Sequence, residues 1–162
     1  MADTLSVTEM LPNKFEPKRK FRWVFAIEGI DAFLCKTAAR PTINTAEQEI
    51  SYMNSTRYLA GKTKFDAISV TLHDPIAPSA AQQVMEWVRT HFESVSGRAG
   101  YADFYKRDCQ LKLLDPVGTV VELWDMKGCF LTSAAFGDLD YGAEDPTEVA
   151  LTIRFDNCVL QY

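Results

Sequence analysis

Two histidines, four cysteines and 22 carboxylates are the side chains of this 162-residue sequence with chemistry to offer. His73 and His91 alone have an ordinary pKa near neutrality. His73-Asp74 has the form of a fragment of a metal phosphohydrolase pair. That chemistry needs further His and Asp ligands converging on one metal, and the other histidine falls in a helical segment. The pair therefore reads as a strand-end coincidence, and His91 as a surface or packed helix residue. Cys109 stands beside Asp108 and Arg107, but sequence neighbours do not make a nucleophile–base dyad. No Gly-x-Ser-x-Gly elbow, Walker loop or Gly-x-Gly-x-x-Gly occurs. Nothing singles out two of the many carboxylates as a glycosidase pair. The expectation is a protein that is not an enzyme and has no cofactor and no metal site.

Cys35, Cys109, Cys129 and Cys158 are far apart, and no Cys-x-x-Cys occurs, which disfavours a structural zinc site. They read as reduced, mostly buried thiols. The alternative is disulfide formation after release into an oxidising exterior, for which all four are candidates. Net charge is 17 − 22 = −5, a poor basis for gripping nucleic acid or an anionic membrane. No apolar run approaches the ~18 residues of a membrane-spanning helix. The start, Met1-Ala2-Asp3-Thr4-Leu5-Ser6, lacks the basic-then-apolar pattern of a secretory signal, so the expectation is synthesis and folding in a cytoplasm. Apolar residues at 47% and charged residues at 24% are globular values, and the length suits one domain.

These groups must be positioned by a chain that reads as strands around one helix. Residues 1–19 lack periodicity and read as an arm, extended or ordered only by a partner, ahead of a domain over 20–162. Phe21, Trp23, Phe25 and Ile27 alternate onto one face of a strand. A turn at Gly29-Ile30-Asp31 and a second strand over 32–39 predict a hairpin. Residues 42–62 are polar, with scattered Ile50, Tyr52, Tyr58 and Leu59, and predict a long hairpin that leaves the core. Such an excursion is marginal alone in water, so it is either mobile or covered by a neighbour. Ile68, Val70 and Leu72 resume the alternation. Ser79 with Gln82 has the capping-box pattern. Val84, Trp87, Val88, Phe92 and Val95 follow on one helical stripe, ended by Gly97 and Gly100. Cys109, Leu111 and Leu113 alternate, Asp115-Pro116-Val117-Gly118 predicts a β-turn, and residues 119–126 pair back. Val149, Leu151, Ile153 and Phe155 form the last strand. Trp23, Trp87 and Trp124 read as core. Five bases lie between Lys14 and Arg22, and five acids with no base lie in 136–148. Opposite patches on one chain favour head-to-tail contacts between copies.

The stretch Arg57-Tyr58-Leu59-Ala60-Gly61-Lys62-Thr63-Lys64-Phe65-Asp66, running on through the alternating strand to Leu72, resembles the tail tube protein of T-even-like contractile-tailed bacteriophages. The Gln83-Val84-Met85-Glu86-Trp87 helix and Phe130-Leu131-Thr132-Ser133-Ala134-Ala135-Phe136-Gly137-Asp138-Leu139-Asp140-Tyr141 follow in the same order. The resemblance covers residues 20–160 and implies a mainly β (α+β) fold, a β-sandwich or barrel-like domain with one flanking α-helix. It implies a homo-hexamer whose strands join one inner barrel, and rings that stack into a tube. Its partners would be a contractile sheath, baseplate and tape-measure protein. Genomic DNA would pass through the lumen without specific binding, and this chain would insert in no membrane. The location would be the virion tail, assembled in the host cytoplasm. Arg57, Tyr58, Leu59, Ala60, Gly61 and Lys62 would then belong to an inter-subunit and inter-ring hairpin. Gly61, placed at its corner, is expected to need a backbone conformation that a β-carbon disfavours. Glu47, Glu49, Asp138 and Asp140 would line the lumen, where negative charge keeps DNA affinity low. The basic end of the arm is expected to meet the acidic segment of another copy. The alternatives are a type VI secretion-like tube protein and a small ligand-binding β-barrel or enzyme.

Overall fold

A computed structural model describes residues 15–162; the first part of the arm, 1–14, lies outside the described residues. Strand β1 (Trp23–Ile27) has an alternating buried face carrying Phe25 and Ile27. Phe21, expected on that face, lies before the strand and is exposed. The chain then makes a 3-10 turn (Ala32–Leu34) that buries Leu34, and enters β2 (Cys35–Ala38).

The expected β1–β2 hairpin does not form. β1 pairs antiparallel with β6 (Arg107–Leu114), and β2 pairs with β5 (Ile68–His73). The 3-10 turn redirects the chain, so that β1 and β2 become opposite ends of one seven-stranded antiparallel sheet.

The sheet order is β1-β6-β7-β8-β5-β2, with β7 (Val120–Ala135), β8 (Glu148–Arg154) and β9 (Asn157–Leu160). Strand β7 is the hinge of the fold. Its first half pairs with β6 and β9, and its second half with β8. The break falls at Gly128, which has φ of 69°, next to a register shift between Arg107 and Cys109. Bulges bend a strand and raise its local twist, and here the bend carries β7 from one layer to the other. The result is an antiparallel sandwich that does not close into a barrel.

Between the layers sit Phe25, Val70, Leu72, Leu111, Met126, Val149, Leu151 and Ile153, all buried. One edge is covered by α1 (Ala80–His91), which buries Ala80, Val84 and Trp87. The Ser79 side chain accepts from the Gln82 backbone N–H, satisfying one orphan donor of the first turn. The helix stops four residues short of Val95, which is 94% exposed. Phe92 is already extended and bridges back to Ala99, and Gly100 donates to the His91 carbonyl. The loop folds against the helix end instead of prolonging it. A one-turn helix α2 (Ala102–Tyr105) follows, so the expected single helix has a short companion. The Tyr105 carbonyl accepts from the Trp87 indole at 2.7 Å. The turn before β7 is capped by Asp115, whose carboxylate accepts from the Val117 and Thr119 N–H groups. The last strand is β9, not β8; Asn157–Leu160 is too short and too exposed to alternate visibly.

Candidate assembly surfaces

Strands β3 (Ile43–Tyr52) and β4 (Ser55–Phe65) pair only with each other. Every residue of this hairpin is exposed except the half-buried Phe65. At ~3.3 Å per residue, the eleven residues of β4 reach about 35 Å. The register assigns its two faces. Glu47 opposes Ala60 and Glu49 opposes Tyr58, with Thr45 and Thr63 on the same side, their hydroxyls 3.1 Å apart. The other face carries Ile50 opposite Arg57 and Gln48 opposite Leu59, with Tyr52 at the tip end. One face thus carries the two carboxylates and the other Ile50, Leu59 and Tyr52 among Gln48, Arg57 and Lys64, and both meet solvent in a single chain.

The sequence-predicted segment 57–62 lies along β4, divided between those faces. Gly61 is not at a corner and its φ is not positive. The register passes from Thr45–Thr63 to Glu47–Ala60, so Gly61 and Lys62 together oppose Ala46 in a bulge. A β-carbon on Gly61 would lie 2.9 Å from the Ala46 carbonyl oxygen. The glycine is required by close approach, not by a left-handed backbone. The left-handed residue is Met53 in the hairpin turn, with φ of 51°.

Asp138 and Asp140 lie in the 136–147 loop between β7 and β8 and are not part of the hairpin's paired strands. Leu139 and Tyr141 beside them are exposed. Asp140 accepts from the Gly142 N–H at 2.9 Å. Asp138 makes no ion pair among the described residues. Glu47 and Glu49 share a face of the hairpin; the two loop acids stand on a different element.

Sequence reasoning missed Glu122. It is the one buried charged residue among those described, 2% exposed. Lys18 and Arg40 both donate to it, Arg40 at 2.5 Å, and so does the Trp124 indole. Burial alone would raise its pKa; the hydrogen bonds from Lys18, Trp124 and Arg40 outweigh that and hold the carboxyl below its usual range. The only signal in the sequence is an acid between Val121 and Leu123 of an alternating strand. Lys18, near the end of the arm, is thus held on its own chain.

The four thiols are free. Cys109 and Cys129 are 0% exposed and out of reach of another chain. Cys35 is half-buried, and burial pushes its thiol up to about 11; Cys158 is shifted the same way to about 11. The Cys109 thiol is raised by its hydrogen bond with Cys129 and by burial. His73 ends β5 opposite Glu148, and His91 packs edge-on against Tyr105 with ring centres 4.8 Å apart. Among the described residues no three His, Cys, Asp or Glu side chains converge as a metal-ligand set. No helix among the described residues is long and apolar enough to cross a membrane.

No protein-family model and no curated protein matches the chain. Solved structures match it over nearly its whole length. A chain of the anti-feeding prophage cap, described as the AFP tube terminating cap, aligns with a TM-score of 0.77 at 17% identity, over 97% of this chain and 99% of that one. A chain of the PVC sheath-tube complex, from an extracellular contractile injection system in the extended state, gives 0.68 at 14% identity, over 98% and 99%. Hcp1 from Flavobacterium johnsoniae gives 0.51 at 12% identity, over 87% and 95%. The fold is therefore the mainly β, antiparallel fold found in tube-bearing contractile injection systems. These likenesses reach that wider class; the resemblance to the T-even phage type is one of sequence, carried by residues 57–72, 83–87 and 130–141 in that order.

Proposed function

We propose that this chain is a structural tube subunit of a contractile, phage-tail-like particle. Copies close into six-fold rings, and the rings stack into a hollow conduit within a sheath and on a baseplate, with a tape-measure protein setting the length. In a phage tail the conduit passes genomic DNA without specific binding, and the particle is the site of function. The observation that carries this reading is the β3–β4 hairpin. A two-stranded ribbon exposed on both faces is marginal alone, and its unpaired edges invite pairing with another chain. Ring closure removes both liabilities: the Ile50–Leu59 face packs on neighbours, and the Glu47–Glu49 face is left for the lumen. The likeness to chains from tube-bearing particles supports the reading. The likeness to Hcp1 favours, as a second reading, a secreted tube of the type VI kind.

Negative-stain electron microscopy of the purified chain over a concentration series tests this. The expected result is six-fold rings or uniform hollow tubes. Monodisperse small particles at every concentration would overturn it. Rings found free in culture medium, with no sheath attached, would favour the secreted-tube reading.

A further inference from the structure

A cavity of about 500 Å³ lies between β1 and β2, the two outer strands of the seven-stranded sheet. Its volume falls within the ~300–1,000 Å³ of small-ligand sites. Its floor is apolar, built from Trp23, Leu111 and Leu113 on the β1 side and Ala38 on the β2 side. Its rim carries five cations, Lys18, Arg19, Lys20, Lys36 and Arg40. Among the described residues two carboxylates answer them: Glu122 takes both Lys18 and Arg40, and Glu148 takes Lys36. Arg19 and Lys20 make no ion pair among the described residues. The rim therefore keeps an excess of positive charge over an apolar floor, flanked by two strand edges that do not pair with each other.

We propose that this cavity receives the 138–141 segment of a second copy of this chain. Asp138-Leu139-Asp140-Tyr141 alternates acid with large apolar side chain. Leu139 and Tyr141 are exposed where they stand, so they do not fill the cavity of their own chain. Two apolar side chains would cover the Trp23–Leu111–Leu113 floor, and the two carboxylates would meet Arg19 and Lys20. A loop on one copy and a cavity on the next make a heterologous contact, the kind that generates rings when the rotation closes. The proposal rests on the tube reading and assigns one of its subunit contacts. It also gives the acids at 138 and 140 a place at a subunit boundary instead of the lumen.

The test is photo-crosslinking in the full chain. A benzoylphenylalanine at Thr37, an exposed residue lining the cavity, is placed in unlabelled copies mixed with an equal amount of 15N copies. Mass spectrometry then identifies the captured peptide, and electron microscopy of the same sample scores assembly. The expected product is a mixed-isotope crosslink to residues 136–145. Capture of residues 1–14 of the same copy, or of any other peptide, overturns the proposal. Rings or tubes with such a product leave the tube reading standing without this contact. No rings at any concentration removes the tube reading and this contact with it. In addition, Arg19→Glu with Lys20→Glu should raise the concentration needed for assembly about tenfold or more. Adding Asp138→Lys and Asp140→Lys to the same chain should restore it. Failure of that restoration would also overturn the contact.

Discussion

Lys18, four residues into the described chain, donates to Glu122, 104 positions further on. The contact ties the approach to β1 onto β7. Arg40 and Trp124 complete the set around the same carboxylate. Removing one side of a buried ion pair costs about 3–5 kcal/mol when its partners stay buried. Here Lys18 and Arg40 are about half exposed and regain water, so Glu122→Ala should cost about 2 kcal/mol in urea unfolding. Glu122→Gln keeps an acceptor for Trp124 and should cost less. The folded-state pKa of Glu122 is depressed, so its contribution is present above the ordinary carboxylate pKa of ~4.3 and is lost as pH falls through the lower folded value. The wild type should lose stability over that acid range more steeply than Glu122→Gln.

The bulge in the hairpin predicts that Gly61→Ala impairs assembly. The atom in the way is backbone, the Ala46 carbonyl oxygen, so relief requires a shift of the strand. Overpacking of this kind costs about 1–3 kcal/mol. Ala46→Gly removes only the milder contact with the Ala46 β-carbon and should not rescue Gly61→Ala. Ring yield by sedimentation checks both, and normal rings from Gly61→Ala would refute the close-approach account.

Met53 holds a left-handed backbone at the hairpin turn, which costs a residue with a β-carbon about 1–2 kcal/mol. Met53→Gly should therefore tighten the turn and raise the melting temperature of assembled material. A fall would show that the Met53 side chain contributes a contact that outweighs the strain.

Cys109 and Cys129 should resist alkylation until the chain unfolds, because both are fully buried and thiolate, the reactive form, is suppressed at Cys109. Cys35 should label first. Reductant should leave ring formation unchanged; crosslinked dimers on a non-reducing gel of intact tubes would contradict this.

If the Glu47–Glu49 face lines the conduit, Glu47→Lys with Glu49→Lys should make tubes retain duplex DNA where wild-type tubes do not. Retention should fall steeply between about 50 and 200 mM salt. The retained DNA should resist nuclease. Retention without protection would put these acids on the outer wall.

The alternating strands and the helix start were legible because burial on one face imposes its period on the residue types, as at Cys109, Leu111 and Leu113. The free hairpin was legible for the opposite reason: no period of burial acts on residues 42–62. Pairing was less legible. The turn at Gly29-Ile30-Asp31 looks like a hairpin, yet burial of Leu34 turns β2 away to the other end of the sheet. The stripe ending in Val95 continued past the helix because only backbone contacts to Gly100 and Ala99 stop it. Glu122 showed only as an acid within an alternating strand, because its partners, Lys18 and Arg40, come from distant positions. The acidic and basic segments were visible as charge, but the apolar floor beside the basic rim, between β1 and β2, exists only once the sheet has folded.

If neighbouring copies cover the β3–β4 hairpin, its amides must be shielded on assembly. Hydrogen–deuterium exchange of residues 43–65 at concentrations below and above the assembly threshold tests it directly. Rapid exchange is expected in the isolated chain and strong protection in rings, with the β5–β8 pair protected in both. Equally rapid exchange of the hairpin at every concentration would contradict it.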